Sequence, residues 1–386
     1  MNARRLSRLA SITASLSLSL HGAVARAQQA PAAPSPAAPA APWTAFASTD
    51  RGVGLTRADG LFGIAAHLFV QSRLDLNITP SGTDSIDFRV PVVRPQLRGN
   101  VLRPWITFFV QPELAGAPRL LDAEVTVSPS PWFGVRFGQF IPPFTRQFLT
   151  PPFKLLFSDF AMSNTVFRVD RSRGLELFGQ APSGHFEWHA AVTDANTIAA
   201  TANEADHVRL YGRVAFTPWG RNAYTETPGV EGLGDFFTVG LNATWATVNR
   251  PTSTDAMAPL AGVGTTSAGL DLALHAGPVF AQAEGYVRGL DDAQGSTAWS
   301  AGGYGEAGVT VVPRRVELAA RGDVLAANVS TGAGLTRRAE GLVAAYFDGI
   351  HLKAQLRYAY TDADPGSPVA PVGSSHQLSL QTQLFF

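Results

Sequence analysis

Within residues 142–173 stand Arg146, Lys154, Arg168, Arg171 and Arg173, against two carboxylates, Asp159 and Asp170. A guanidinium fork donates two parallel N–H bonds and so fits phosphate, sulfate or carboxylate oxygens two at a time. In a narrow passage of low dielectric, such a basic cluster draws in anions and raises the barrier to cations. The same residues have a plainer use. Arg171 or Arg168 could pair with Asp170, and Arg173 with Glu176, holding a loop down without meeting a solute. The residues alone leave both uses open. Interleaved with the cations are Phe140, Phe144, Phe148, Phe153, Phe157 and Phe160, which would pack such a segment to a wall.

Other chemistries find little support. With no cysteine there is no disulfide scaffold, thiolate zinc site, iron–sulfur cluster or cysteine nucleophile. The histidines (His21, His67, His185, His189, His207, His275, His351, His376) are scattered, and neither G-x-S-x-G nor H-E-x-x-H occurs. His185 and His189 would make only a weak metal pair and read as polar wall residues. The reading is therefore of a chain that is not an enzyme and needs no cofactor. Thirty basic residues balance 30 acidic ones, so nothing attracts nucleic acid.

The basic segment needs elements to position it, and these read as strands. After residue 27 no run of 18 apolar residues could cross a bilayer as a helix. Residues 61–77 alternate instead. Phe62, Ile64, Ala66, Leu68, Val70, Leu74 and Leu76 lie on one face, opposite His67, Gln71, Arg73, Asp75 and Asn77. About sixteen such segments follow one another, from 61–77, 85–102 and 105–115 through 133–141 and 173–181 to 350–361 and 375–386. Even-numbered connections are mostly tight, as at Asp348-Gly349, and odd-numbered ones longer and more polar. That asymmetry belongs to an outer-membrane barrel with short periplasmic turns. The eighth connection, 218–234, should be tight but is long. Arg73, Arg136, Arg209, Arg213 and Arg321 fall on polar strand faces, which suits a wet lumen and not a dry core. Trp105, Trp132, Phe133, Phe186, Trp188, Trp219, Phe236, Phe237, Phe280, Tyr346 and Phe347 cluster near the short turns, as an interfacial girdle would.

The two ends have their own character. Residues 1–27 combine a basic start, a short apolar run and Ala25-Arg26-Ala27, the pattern of a secretory signal peptide cut after Ala27. Arg4, Arg5, Arg8 and Arg26 leave with it, so the exported chain would carry 26 basic against 30 acidic residues. Residues 28–59 read as a Pro/Ala-rich periplasmic spacer and lead-in, and 60–386 as the barrel.

The run Pro131-Trp132-Phe133-Gly134-Val135-Arg136-Phe137-Gly138-Gln139-Phe140-Ile141-Pro142-Pro143-Phe144 opens the basic segment, and Arg168-Val169-Asp170-Arg171-Ser172-Arg173-Gly174 closes it. With Arg98-Gly99, Asp122-Ala123-Glu124-Val125 and Tyr211-Gly212-Arg213-Val214, the chain resembles the phosphate-selective porin O and P family of Gram-negative outer membranes. The resemblance implies a transmembrane antiparallel β-barrel of 16 strands, often trimeric, whose third outer loop, here 142–172, folds inward. It implies a porin passing small anions such as phosphate, set in outer-membrane lipid. The ending Leu384-Phe385-Phe386 is similar to the signal read by the barrel assembly machinery, through Phe386. Lysine-rich pores mark family members known for phosphate, whereas this region holds only Lys154.

Overall fold

A strand with charged residues on one face and Leu, Val and Phe on the other can bury both only if its sheet separates water from oil. The computed structural model describes residues 42–80, 82, 84–195, 207–248, 263–291 and 296–386, so the proposed signal peptide and residues 28–41 of the spacer lie outside the described residues. The strands are β1 (Trp43–Ser48), β2 (Gly52–Arg57), β3 (Gly63–Ile78), β4 (Ser85–Asn100), β5 (Ile106–Glu113), β6 (Arg119–Ser130), β7 (Phe133–Phe140), β8 (Ser172–Gln180) and β9 (Phe186–Asp194). After them come β10 (Val208–Trp219), β11 (Phe236–Val248), β12 (Val263–Ala276), β13 (Val279–Asp291), β14 (Thr297–Val312), β15 (Val316–Ala326), β16 (Leu335–Asp348), β17 (Leu352–Ala363) and β18 (Gly373–Phe385).

From β3 onward each strand pairs antiparallel with the next, and β18 returns to β3 from His376↔Ile78 to Phe385↔Phe69, closing a barrel of sixteen strands. Closure removes the free edges that would leave backbone groups unpaired in hydrocarbon. The lead-in adds a hairpin absent from the sequence reading: β1 pairs with β2, and β2 extends the sheet along Gly63–Ala66 of β3. Within 28–59, the stretch from Trp43 to Arg57 is thus ordered as two strands.

Alternation sets the two faces. On β17, Lys353, Gln355, Arg357 and Thr361 are buried while Leu352, Leu356, Tyr358 and Tyr360 are exposed. On β10, Arg209, Tyr211 and Arg213 are buried and Leu210, Val214 and Phe216 exposed. This inverts the order of a soluble protein and is what an apolar solvent outside requires. Trp105, Trp132, Phe133, Phe186, Trp219 and Phe347 are exposed near the turns. Phe236, Phe280 and Tyr346, expected with them, are instead buried against Leu156 and Phe157. Register explains this: Phe236, His275 and Phe280 form one cross-strand row on the inner face. The long connection between β10 and β11 carries a short helical turn, Pro228–Glu231, and its Thr225, Glu226 and Thr227 are buried.

Candidate functional site

Between β7 and β8 the chain runs through three short helical turns, Arg146–Leu149, Pro152–Lys154 and Met162–Phe167. Gly138 prepares its entry: at φ 124° its backbone lies so close to β6 that a Cβ would stand 2.2 Å from the Ala123 carbonyl. Only glycine fits that approach. The segment's polar partners lie far from its own strands in the ring, on the buried faces of β13, β15, β17, β18 and β3. Glu284 accepts the backbone N–H groups of Arg146 and Gln147 at 2.8 and 2.7 Å. Asp323 accepts that of Ser163 at 3.1 Å. Lys353 donates to the Leu155 carbonyl at 2.7 Å, and Gln383 to that of Phe153 at 3.0 Å.

One carboxylate gathers most of this wall. Asp159 lies 2.8 Å from both Arg73 and Arg357, and Arg321 donates to its carbonyl at 3.0 Å. Removal from bulk water works against its ionisation, but Arg357 and Arg73 hold the Asp159 carboxyl at about 2. Its side chain keeps 39% exposure, while those of Arg73 and Arg357 keep 3% and 1%. A second junction joins the segment to the β10–β11 connection. Glu226 accepts from the Leu156 N–H at 2.7 Å and from Gln147 at 3.0 Å.

The basic residues of the segment have distinct surroundings. Arg146 is buried, donating to Gln282 and Asn222 at 3.1 and 2.8 Å and also to the Ala223 carbonyl, so it anchors. Lys154 pairs with Glu231 at 2.6 Å. Arg171 pairs with Asp122 at 2.9 Å and lies 3.7 Å from Asp170. Arg173 pairs with Asp194 at 2.6 Å, in place of the Glu176 suggested by sequence proximity. Arg168 sits between the rings of Phe148 and Phe160, 4.4 and 4.7 Å away, and forms no salt bridge among the described residues. Loss of water lowers its guanidinium to about 10, so it stays charged at neutral pH.

Of the arginines read as lumen-facing, Arg73, Arg209, Arg213 and Arg321 are buried on inward strand faces. Arg213 grips Asp271 with both nitrogens at 2.5 and 2.9 Å, and Arg321 pairs with Glu340 at 2.6 Å. Arg136 is held more loosely, 3.3 Å from Glu176 and 3.6 Å from Glu124. His189 lies between Glu176 and Glu187, 2.7 and 3.0 Å away, and His185 touches the Thr217 carbonyl.

Beside this packed region a cavity of about 680 Å³ remains between the β4–β7 wall and residues Leu149–Phe153, with the β1–β2 hairpin also lining it. Four arginines reach it, Arg51, Arg98, Arg136 and Arg171, against Asp122 and Glu124. Arg98, exposed on β4, has no ion-pair partner among the described residues. Sequence reasoning noticed it only as part of Arg98-Gly99, although its parity with Gln96 marks the inward face. The hydrogen-bonded row Gln96, Gln111, Asp122 runs beside it at 2.7 Å per step.

The family model for phosphate-selective porin O and P matches residues 80–386. No curated protein matches the sequence. Among solved structures, an anion-selective porin from Comamonas acidovorans superposes with a TM-score of 0.64 at 13% identity, covering 84% of this chain and 100% of that one. A trimer form of OmpT from Vibrio cholerae gives 0.58 at 13% identity, covering 84% and 99%. The outer membrane channel DcaP of Acinetobacter baumannii gives 0.56 at 10%, covering 86% and 99%. At such identities the likeness is one of fold.

Proposed function

The chain belongs to the phosphate-selective porin O and P family and is an outer-membrane porin of a Gram-negative bacterium; from that premise we propose that it passes small anions, phosphate-type oxyanions among them, by passive diffusion. Segment 142–172 is then the third outer loop folded inward, with Arg146 anchoring it and Lys154, Arg168, Arg171 and Arg173 giving the constriction its positive field. The observation that carries the reading is the cavity on the β4–β7 wall, where four arginines face two carboxylates and Arg98 has no ion-pair partner among the described residues. In a narrow void, an uncompensated guanidinium raises the local anion concentration and repels cations.

The exported protein begins after a signal peptide at 1–27, crosses outer-membrane lipid as residues 60–386, and is delivered by the barrel assembly machinery through Phe386. A homotrimer is the assembly, a reading supported by the trimer form of the Vibrio relative. The test is the reversal potential of the purified protein in a planar bilayer across a potassium chloride gradient. An anion-selective sign is expected, and a cation-selective sign overturns the proposal. A second reading, a diffusion channel with no charge preference, draws on the pairing of Lys154, Arg171 and Arg173 with carboxylates. It requires a reversal potential near zero.

A further inference from the structure

Two kinds of surface face the cavity on the β4–β7 wall. Arg98 and Phe109 are direct cross-strand partners, and both line it. Opposite them the Leu149–Phe153 stretch contributes Leu149, Pro151, Pro152 and Phe153. Phe153 is fixed there by stacking on Phe385, with ring centroids 3.8 Å apart and planes 9° from parallel. The nearby carboxylates are engaged: Asp122 with Arg171 and Gln111, Glu124 with Arg136.

A compact, strongly hydrated anion gains from Arg98 but sheds water against rings and prolines that return no hydrogen bond. An anion with a flat apolar body loses nothing on that side. Its charge meets the guanidinium fork while its ring leaves water against Phe109 and Phe153. The volume is ample, since sites of about 300–1,000 Å³ enclose most of a small organic ligand. We propose that this cavity is a binding site for aromatic monocarboxylates, with the carboxylate on Arg98 and the ring between Phe109 and the Leu149–Phe153 stretch. The proposal deepens the anion-channel reading and rests on it only for how the ligand arrives.

Calorimetry on the full chain in detergent tests the site with benzoate, acetate and inorganic phosphate as probes. Benzoate should bind at least about tenfold more tightly than acetate, a factor that burial of one ring readily supplies. Arg98→Gln should weaken benzoate about tenfold through loss of a charged hydrogen bond. Phe109→Ala should weaken benzoate alone and bring the benzoate-to-acetate ratio close to one. Phe109→Leu, which keeps apolar bulk, should retain most of that ratio and covers the case in which the Ala variant fails to fold. Phosphate binding more tightly than benzoate, or a benzoate-to-acetate ratio indifferent to Phe109, would overturn the site. The bilayer measurement separates the two ideas. A cation-selective channel that still binds benzoate removes the anion-channel reading and keeps the site, whereas an anion-selective channel with no benzoate preference removes the site alone.

Discussion

The two sides of the barrel use the same residue types to opposite ends. Along β10 to β18 and onto β3, arginines meet carboxylates at close range: Arg213 with Asp271, Arg321 with Glu340, Arg73 and Arg357 with Asp159. No cation in those pairs is left to act on a passing ion, and segment 142–172 is fastened there. Along β4 to β7, Arg94 is paired with Glu113 at 2.7 Å, but Arg98 has no ion-pair partner among the described residues, Arg136 stands 3.3 Å or more from its carboxylates, and a cavity remains. Counting arginines on inward faces would have ranked the first wall as the stronger filter. Pairing reverses that ranking, because a neutralised guanidinium exerts little field beyond its partner.

Substitutions on the two walls should therefore fail in different ways. The largest effect is expected at Asp271. Asp271→Ala leaves Arg213 buried without its counterion, which costs about 3–5 kcal/mol. The barrel should lose its heat-resistant gel mobility at a markedly lower temperature. Arg98→Ala should shift stability by about 0.5 kcal/mol or less. Equal melting shifts for the two variants would erase the contrast between the walls.

Asp159 comes next, because it ties the segment to the packed wall while remaining partly open to water. Asp159→Asn should raise single-channel conductance by loosening the segment, with the barrel's melting lowered by less than in Asp271→Ala, because Asp159 is itself partly exposed and Arg357 keeps Glu340 at 3.0 Å. Its titration gives a second handle. The carboxyl is held at about 2 against an ordinary 3.8, so its pairing with Arg73 and Arg357 is complete above 3.8 and is lost as the pH falls through about 2. Conductance should step up on acidification through that window in the wild type. The Asn variant should show no such step, and an identical step in both would clear Asp159 of the role.

Much of this contrast was hidden in the sequence, for physical reasons. A period of two is a local property, so β3 and β17 are visible in their own residues. The direction of Phe236 and Tyr346 was visible too, in their parity with Thr238 and Glu340. Nearness to the turns was the weaker guide. The β1–β2 hairpin was missed because its strands are short and follow a proline tract. The partners of Arg171 and Arg173 lie 49 and 21 residues away, across strands whose neighbourhood only the sheet register defines. Arg98 is the hardest case. Its inward direction could be read, but being unpaired is a statement about every other side chain around it.

The smallest effect sharpens the comparison from within segment 142–172. Lys154 and Glu231 form a partly exposed pair between this segment and the β10–β11 connection. Such pairs contribute about 0–1 kcal/mol, so Lys154→Gln should barely change melting. If Lys154 also lends field to the constriction, the reversal potential should move slightly toward zero, by less than in Arg98→Gln. If it serves only as a tether, the potential should stay put while Glu231→Gln reproduces any loosening seen in Lys154→Gln. A larger shift from Lys154 than from Arg98 would transfer the filter from the open wall to the segment itself.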